Sequence, residues 1–184
     1  MKVNRRHEKG FGFILEAIMN EGIIQIYYGE GHGKSTAAIG NAIRCASEGK
    51  SVIIIQFLKG KNENELAFLN RLEPEIKIFR FAKSDESFEE LSEQEQQEEA
   101  MNLRNGFNYG KKVVTTAACD MLILDEVLGV IDEKVVAPQE MQELFENKPD
   151  DMTLICTGRV LEDSIRPYAD EIYNIAPEKI RIDE

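Results

Sequence analysis

The sequence contains no tryptophan, two histidines, three cysteines and five prolines in 184 residues. Cys45, Cys119 and Cys156 stand far apart, with no C-x-x-C pair. That excludes a disulfide scaffold and a thiolate metal cluster, and reduced thiols in a cytoplasmic protein are expected. His7 and His32 match no recognised Cys/His zinc spacing. No stretch approaches the roughly 18 consecutive apolar residues of a membrane helix. The apolar run from Phe11 to Met19 follows Lys2, Arg5, Arg6 and Lys9, but Gly12 and Glu16 break it and no small-residue cleavage site follows, so no signal peptide is expected. Positive charge is scarce too: 22 Lys and Arg face 34 Asp and Glu, a formal charge of −12. A surface of that sign repels phosphate backbones, which excludes bulk nucleic-acid binding.

What is present reads as an ordinary globular chain, with 42% hydrophobic and 30% charged residues. Its length suits one domain with a core large enough to fold without staples. Eight carboxylates and no Lys or Arg lie between Ser84 and Glu99, a run expected to form a solvated face or loop. Residues 1–21 read as an N-terminal appendage with a weakly amphipathic patch at Phe13, Ile14, Ala17 and Ile18. Residues 22–184 read as the domain proper.

Within the domain, short β-rich runs alternate with helical patterns. Strands are expected at Ile23–Tyr28, Val52–Phe57, Ile76–Phe81, Met121–Asp125, Met152–Cys156 and Glu171–Ile175. The second is almost wholly apolar, as befits a parallel strand covered on both faces. Helices are expected at about Lys34–Ser47, closed by Gly49, at Glu63–Leu72, from Ser92 towards Ala118, at Pro138–Glu146 and at Asp163–Ala169. Ser92 followed by Glu95 makes a capping box, while Gly106 and Gly110 threaten to break that helix. The alternation implies an α/β fold with a mainly parallel sheet and helices on both faces.

The strongest chemical signal is Gly29-Glu30-Gly31-His32-Gly33-Lys34-Ser35-Thr36, between a strand and a helix. Glycines let successive backbone N–H groups turn towards phosphate oxygens, and the helix N-terminus adds its positive end. Lys34 suits the outer phosphates, and the Ser35 hydroxyl suits Mg2+. The general pattern G-x-x-x-x-G-K-[ST] would place its first glycine at Tyr28, so the spacing here is unusual. Leu122-Ile123-Leu124-Asp125-Glu126 is the second signal, an apolar strand that delivers Asp125 to the metal. Glu126 is then placed to orient a water or to touch another part of the ligand. Gln56-Phe57-Leu58-Lys59-Gly60 and Thr157-Gly158-Arg159 end two further strands. In open α/β sheets ligands bind beyond the carboxyl ends of the strands, so these patches should converge, with Lys59 and Arg159 near the phosphates or the second substrate. Phe88, in a polar segment, is the aromatic best placed to meet a flat ligand, whereas Phe79 and Phe81 read as core. A P-loop NTPase (RecA-like) architecture follows. Asp125 and Glu126 alone suit an ATP hydrolase or phosphotransferase equally well, and a nucleotide-binding protein without turnover also fits.

Taken together the four patches resemble one family, the phosphate-loop ATP:corrinoid adenosyltransferases. The family's Gly-x-Gly-Lys-Gly-Lys-Thr-Thr-Ala-Ala appears as Gly29 to Ala38, including the odd glycine spacing. Its Gln-Phe-Ile-Lys-Gly appears as Gln56 to Gly60, its Leu-Asp-Glu-Leu as Leu124 to Val127, and its Thr-Gly-Arg as Thr157 to Arg159, with Ala169-Asp170 downstream. His32 stands for a loop lysine and Ser35 for a threonine. The family's Trp near the corrinoid has no counterpart, the acidic stretch around Phe88 occupies that place, and the basic tail has no match up to Glu184. The resemblance implies that cob(I)alamin attacks the 5′ carbon of ATP and that triphosphate leaves. ATP and the reduced corrinoid are then the substrates and Mg2+ the cofactor. Lys34, Asp125 and Glu126 carry the catalysis. Gly29 to Thr36, Gln56, Lys59, Phe88 and Arg159 hold the ligands. A cytoplasmic homodimer, with residues 1–21 helping to cover the site, is also implied.

Overall fold

The computed structural model describes residues 21–58, 70–84, 86 and 88–179. Lys59, the appendage up to residue 20 and most of the helix expected at Glu63–Leu72 lie outside them, and of that helix only a 3-10 turn at Asn70–Leu72 is described. The strands are β1 (Ile24–Tyr28), β2 (Val52–Gln56), β3 (Ile76–Arg80), β4 (Met121–Asp125), β5 (Thr153–Gly158) and β6 (Glu171–Asn174). The helices are α1 (Lys34–Ser47), α2 (Glu93–Thr115), α3 (Val127–Asp132) and α4 (Pro138–Glu146). All strand pairs are parallel, in the order β3-β2-β4-β5-β1-β6. β5 thus lies between β1, which leads into the glycine loop, and β4, which ends in Asp125.

Every residue of β2 and β4 is buried, because both faces of the sheet are covered. Alternate side chains point to opposite faces. Val52, Ile54, Ile76, Met121, Ile123 and Ile155 pack against Ala38, Ala42 and Cys45 of α1. Ile53, Ile55, Leu122, Leu124 and Leu154 face the other layer, with Leu103, Phe107, Val130 and Leu144 of α2, α3 and α4. The three cysteines are free and buried, as small apolar residues are.

α2 starts at the capping box: the Glu95 carboxylate accepts from Ser92 Oγ at 2.5 Å and from Ser92 N at 3.0 Å, and these bonds hold its pKa below the usual carboxylate range. The expected break at Gly106 and Gly110 does not occur. Both are buried on α2, and a Cβ at Gly106 would lie 2.7 Å from Phe81 Cγ and 2.9 Å from Phe57 Cε1. These glycines let the helix approach the sheet, and that contact outweighs their poor helix propensity of about 1 kcal/mol each. The acidic run is not wholly solvated either. Glu99 is buried, and both of its oxygens accept from Lys83 N at 3.1 Å. α3, which follows Glu126, and the 3-10 form of Asp163–Tyr168 were not expected. Short segments of one or two turns carry too little periodicity to read. Arg104 on α2 pairs with Glu140 on α4 at 2.6 Å and also donates to Val135 O.

Candidate functional site

The carboxyl ends of β1, β2, β4 and β5 meet at one edge of the sheet. β1 passes into the glycine loop, where Gly29 has φ +115 and a Cβ would sit 2.5 Å from Asn174 Oδ1. A Cβ on Gly31 would lie 2.7 Å from Ile175 O, which accepts from Gly31 N at 2.8 Å. The turn after β6 therefore buttresses the back of the loop, and only glycine fits at those two positions. At the start of β1, Asp170 fixes the strand: its carboxylate accepts from Ile24 N at 2.7 Å.

Lys34 opens α1, is buried, and donates to the loop carbonyls of Gly29 at 2.7 Å and Gly31 at 3.0 Å. Its neighbour Ser35 donates to Asp125 Oδ1 at 2.7 Å. Asp125, 1% exposed, also accepts from Thr157 Oγ1 at 2.8 Å and, on Oδ2, from Gln56 Nε2 at 3.2 Å. A carboxylate removed from water in this way must be met by donors, and β2 and β5 supply them from either side of β4. Thr157 also accepts from Glu126 N at 2.8 Å. That bond helps hold Glu126 in a left-handed conformation, φ 65, which non-glycine residues seldom adopt without support.

Beside this cradle opens a cleft of about 540 Å3, lined by Glu30 of the loop, Leu58, Phe88, Glu126 and Arg159 among others. Seven carboxylates line it against the guanidinium of Arg159. Burial, and then Glu89 and Asp132, raise the pKa of Glu133, and burial followed by Glu162 raises that of Asp132.

The expected residues thus divide into two groups. Lys34, Ser35, Gln56 and Asp125 are bonded to one another or to the loop. Glu30, Phe88, Glu126 and Arg159 share the cleft. His32, Gly33 and Thr36 are exposed at the loop and helix start. Thr157 and Arg80 were not singled out. Thr157 was visible only as the first residue of Thr157-Gly158-Arg159, and Arg80, which donates to Gln56 Oε1 at 3.1 Å, carried no local signal.

Among the described residues no His, Cys, Asp and Glu cluster of three or more is placed to hold a metal ion, and no helix is long and apolar enough to cross a membrane. Residues 20–184 match the family model of the ATP:corrinoid adenosyltransferases BtuR/CobO/CobP. The corrinoid adenosyltransferase of Escherichia coli K12 is 28% identical over 179 residues, covering 97% of this chain and 89% of that protein. Corrinoid adenosyltransferase CobA of Salmonella typhimurium LT2 is 29% identical over 170 residues, covering 92% and 84%. A KaiC-like protein of Pyrococcus horikoshii OT3 shares the fold, with TM-score 0.56, 18% identity, and coverage of 88% of this chain and 75% of that one.

Proposed function

The chain belongs to the ATP:corrinoid adenosyltransferase family, and from that membership we propose that it transfers the 5′-deoxyadenosyl group of ATP to the cobalt of a reduced corrinoid, with triphosphate leaving. The observation that carries the reading is the adjacency of two sites. A glycine cradle with Lys34 and Ser35 adjoins a cleft of about 540 Å3 that holds Phe88, Glu126 and Arg159.

In this reading the triphosphate lies along the loop, where glycine N–H groups and the α1 N-terminus receive it. Lys34 exchanges the carbonyls of Gly29 and Gly31 for phosphate oxygens and stabilises the charge that grows on the leaving group. The hydroxyl of Ser35 and the carboxylate of Asp125 are hard oxygen donors 2.7 Å apart, a set that fits Mg2+ held jointly by protein and phosphate. When bound, that ion neutralises charge on the triphosphate. Phe88 offers a ring to the flat macrocycle, Arg159 receives a phosphate or the second substrate, and Glu126 contacts the ligand from the end of β4.

The cobalt is the nucleophile, so no protein nucleophile is required. In keeping with that, burial pushes the Cys119 thiol up to about 12 and raises that of Cys156 as well. A cytoplasmic homodimer belongs to the same proposal, and sedimentation of the full chain tests the dimer.

The test is anaerobic mixing of the protein with Mg–ATP and chemically reduced cobalamin, followed in the visible spectrum. ATP-dependent conversion to the adenosylated corrinoid is expected. ADP formation with an unchanged corrinoid spectrum would instead make the protein a hydrolase.

A further inference from the structure

Asp125 belongs to a polar row that crosses four strands in register. Arg80 stands opposite Gln56 in the β3–β2 pair, and Gln56 opposite Asp125 in the β2–β4 pair. Thr157 follows Cys156, the partner of Leu124, so it stands level with Asp125 in the β4–β5 pair. By strand alternation all four side chains lie on the α1 face, the face from which Ser35 reaches Asp125. The row is bonded from end to end: Arg80 Nη2 donates to Gln56 Oε1 at 3.1 Å, Gln56 Nε2 to Asp125 Oδ2 at 3.2 Å, and Thr157 Oγ1 to Asp125 Oδ1 at 2.8 Å.

We propose that Arg80 is a positioning residue for the metal-holding carboxylate, acting through the side-chain amide of Gln56. A carboxamide presents an acceptor on one side and a donor on the other, and the two ends can exchange by rotation. A guanidinium can only donate. Arg80 therefore draws Oε1 of Gln56 towards β3 and leaves Nε2 facing Asp125. Without that donor the amide is free to turn Oε1 towards Asp125 Oδ2, oxygen against oxygen, in a place where Gln56 is 1% exposed and water cannot intervene freely. Asp125 then loses its donor from β2, and the plane it presents to Ser35 is no longer fixed. The inference rests on the reading of Asp125 and Ser35 as the pair that holds Mg2+.

The experiment is the Mg2+ dependence of ATP-induced thermal stabilisation, without corrinoid, in the full-length protein and its variants. Arg80→Met should raise the Mg2+ concentration for half-maximal stabilisation about tenfold, the scale of one hydrogen bond to a charged group, and leave stabilisation by metal-free ATP unchanged. Arg80→Lys, which retains a donor, should recover most of the loss. On a Gln56→Met background the Arg80→Met change should add nothing, because the relay is already cut. An unchanged Mg2+ requirement in Arg80→Met overturns the proposal, as does a full additional loss on the Gln56→Met background. If Arg80→Met does not fold, Arg80→Gln carries the same test: an amide offers an acceptor as well as a donor and no longer fixes the Gln56 orientation, so the Mg2+ requirement should rise, and an unchanged requirement overturns the proposal. Wild-type protein whose ATP response ignores Mg2+ would overturn the metal reading itself, and Arg80's role with it.

Discussion

The phosphate cradle and the cleft beside it share one edge of the sheet, yet they are built in opposite ways. In the cradle Lys34, Gln56, Asp125 and Thr157 are buried, and each is tied by hydrogen bonds of 2.7–3.2 Å to a neighbouring strand or to the loop. Their positions follow from strand register, so the sheet itself pre-organises them. The cleft draws on a 3-10 turn at Phe88–Glu90, on α3 and on the segment after β5. Its carboxylates crowd one another, and burial makes ionisation of Asp132 and Glu133 less favourable. A rigid, satisfied site suits a ligand whose triphosphate is always the same. An acidic pocket of this kind disfavours a second polyanion.

Variants that break the cradle should have the largest effects. Lys34→Ala should abolish ATP-dependent thermal stabilisation and lower turnover at least about a hundredfold, and the nucleotide-free melting point should also fall, because the Gly29 and Gly31 carbonyls lose their donor. Thr157→Val keeps the shape but leaves Asp125 one donor short and the Glu126 N–H without its acceptor. Denaturant unfolding should show a loss of about 1–3 kcal/mol. Phe88→Ala should separate the two regions: KM for the corrinoid should rise about tenfold, as expected for a lost aromatic contact, while ATP stabilisation stays intact. Loss of ATP binding in that variant would mean that cleft and cradle are one site.

The smallest effect sharpens the electrostatic side of the comparison. Glu133 has a raised folded-state pKa, so the folded chain holds its proton more tightly than the unfolded chain does. Its contribution is favourable below the ordinary carboxylate range and is lost as pH rises through the raised value. Glu133→Gln should therefore raise the melting temperature at pH 7 by about 1–2 °C and change it little near pH 4. A gain of equal size at both pH values would point to packing rather than charge.

The same contrast decides what could be read from the sequence. β2, β4 and α1 announce themselves because continuous apolar runs and a 3.6-residue stripe are local patterns, and the glycine loop sits between β1 and α1 in a recognisable order. Phe88 could be singled out because an aromatic residue in a polar segment is locally anomalous. Arg80 could not, since a charged residue near the end of an edge strand looks like any solvated side chain. Its meaning comes from pairing across β2 and β4, residues 24 and 45 positions away. Gly106 misled for a related reason. Propensity warned of a broken helix, whereas the close approach of Phe57 and Phe81 from other elements makes glycine the residue that fits. Buried Glu99 inside an acidic run is legible only once the Lys83 N–H that it accepts from is in place.

The central claim is that ATP is cleaved at its ribose carbon in the cradle while the cleft supplies the attacking cobalt. Phosphorus NMR of the anaerobic reaction mixture, with the adenosylated corrinoid measured in the same tube, tests it most directly. The account predicts one intact triphosphate for each corrinoid adenosylated. ADP and orthophosphate formed at the same rate with or without corrinoid would contradict it.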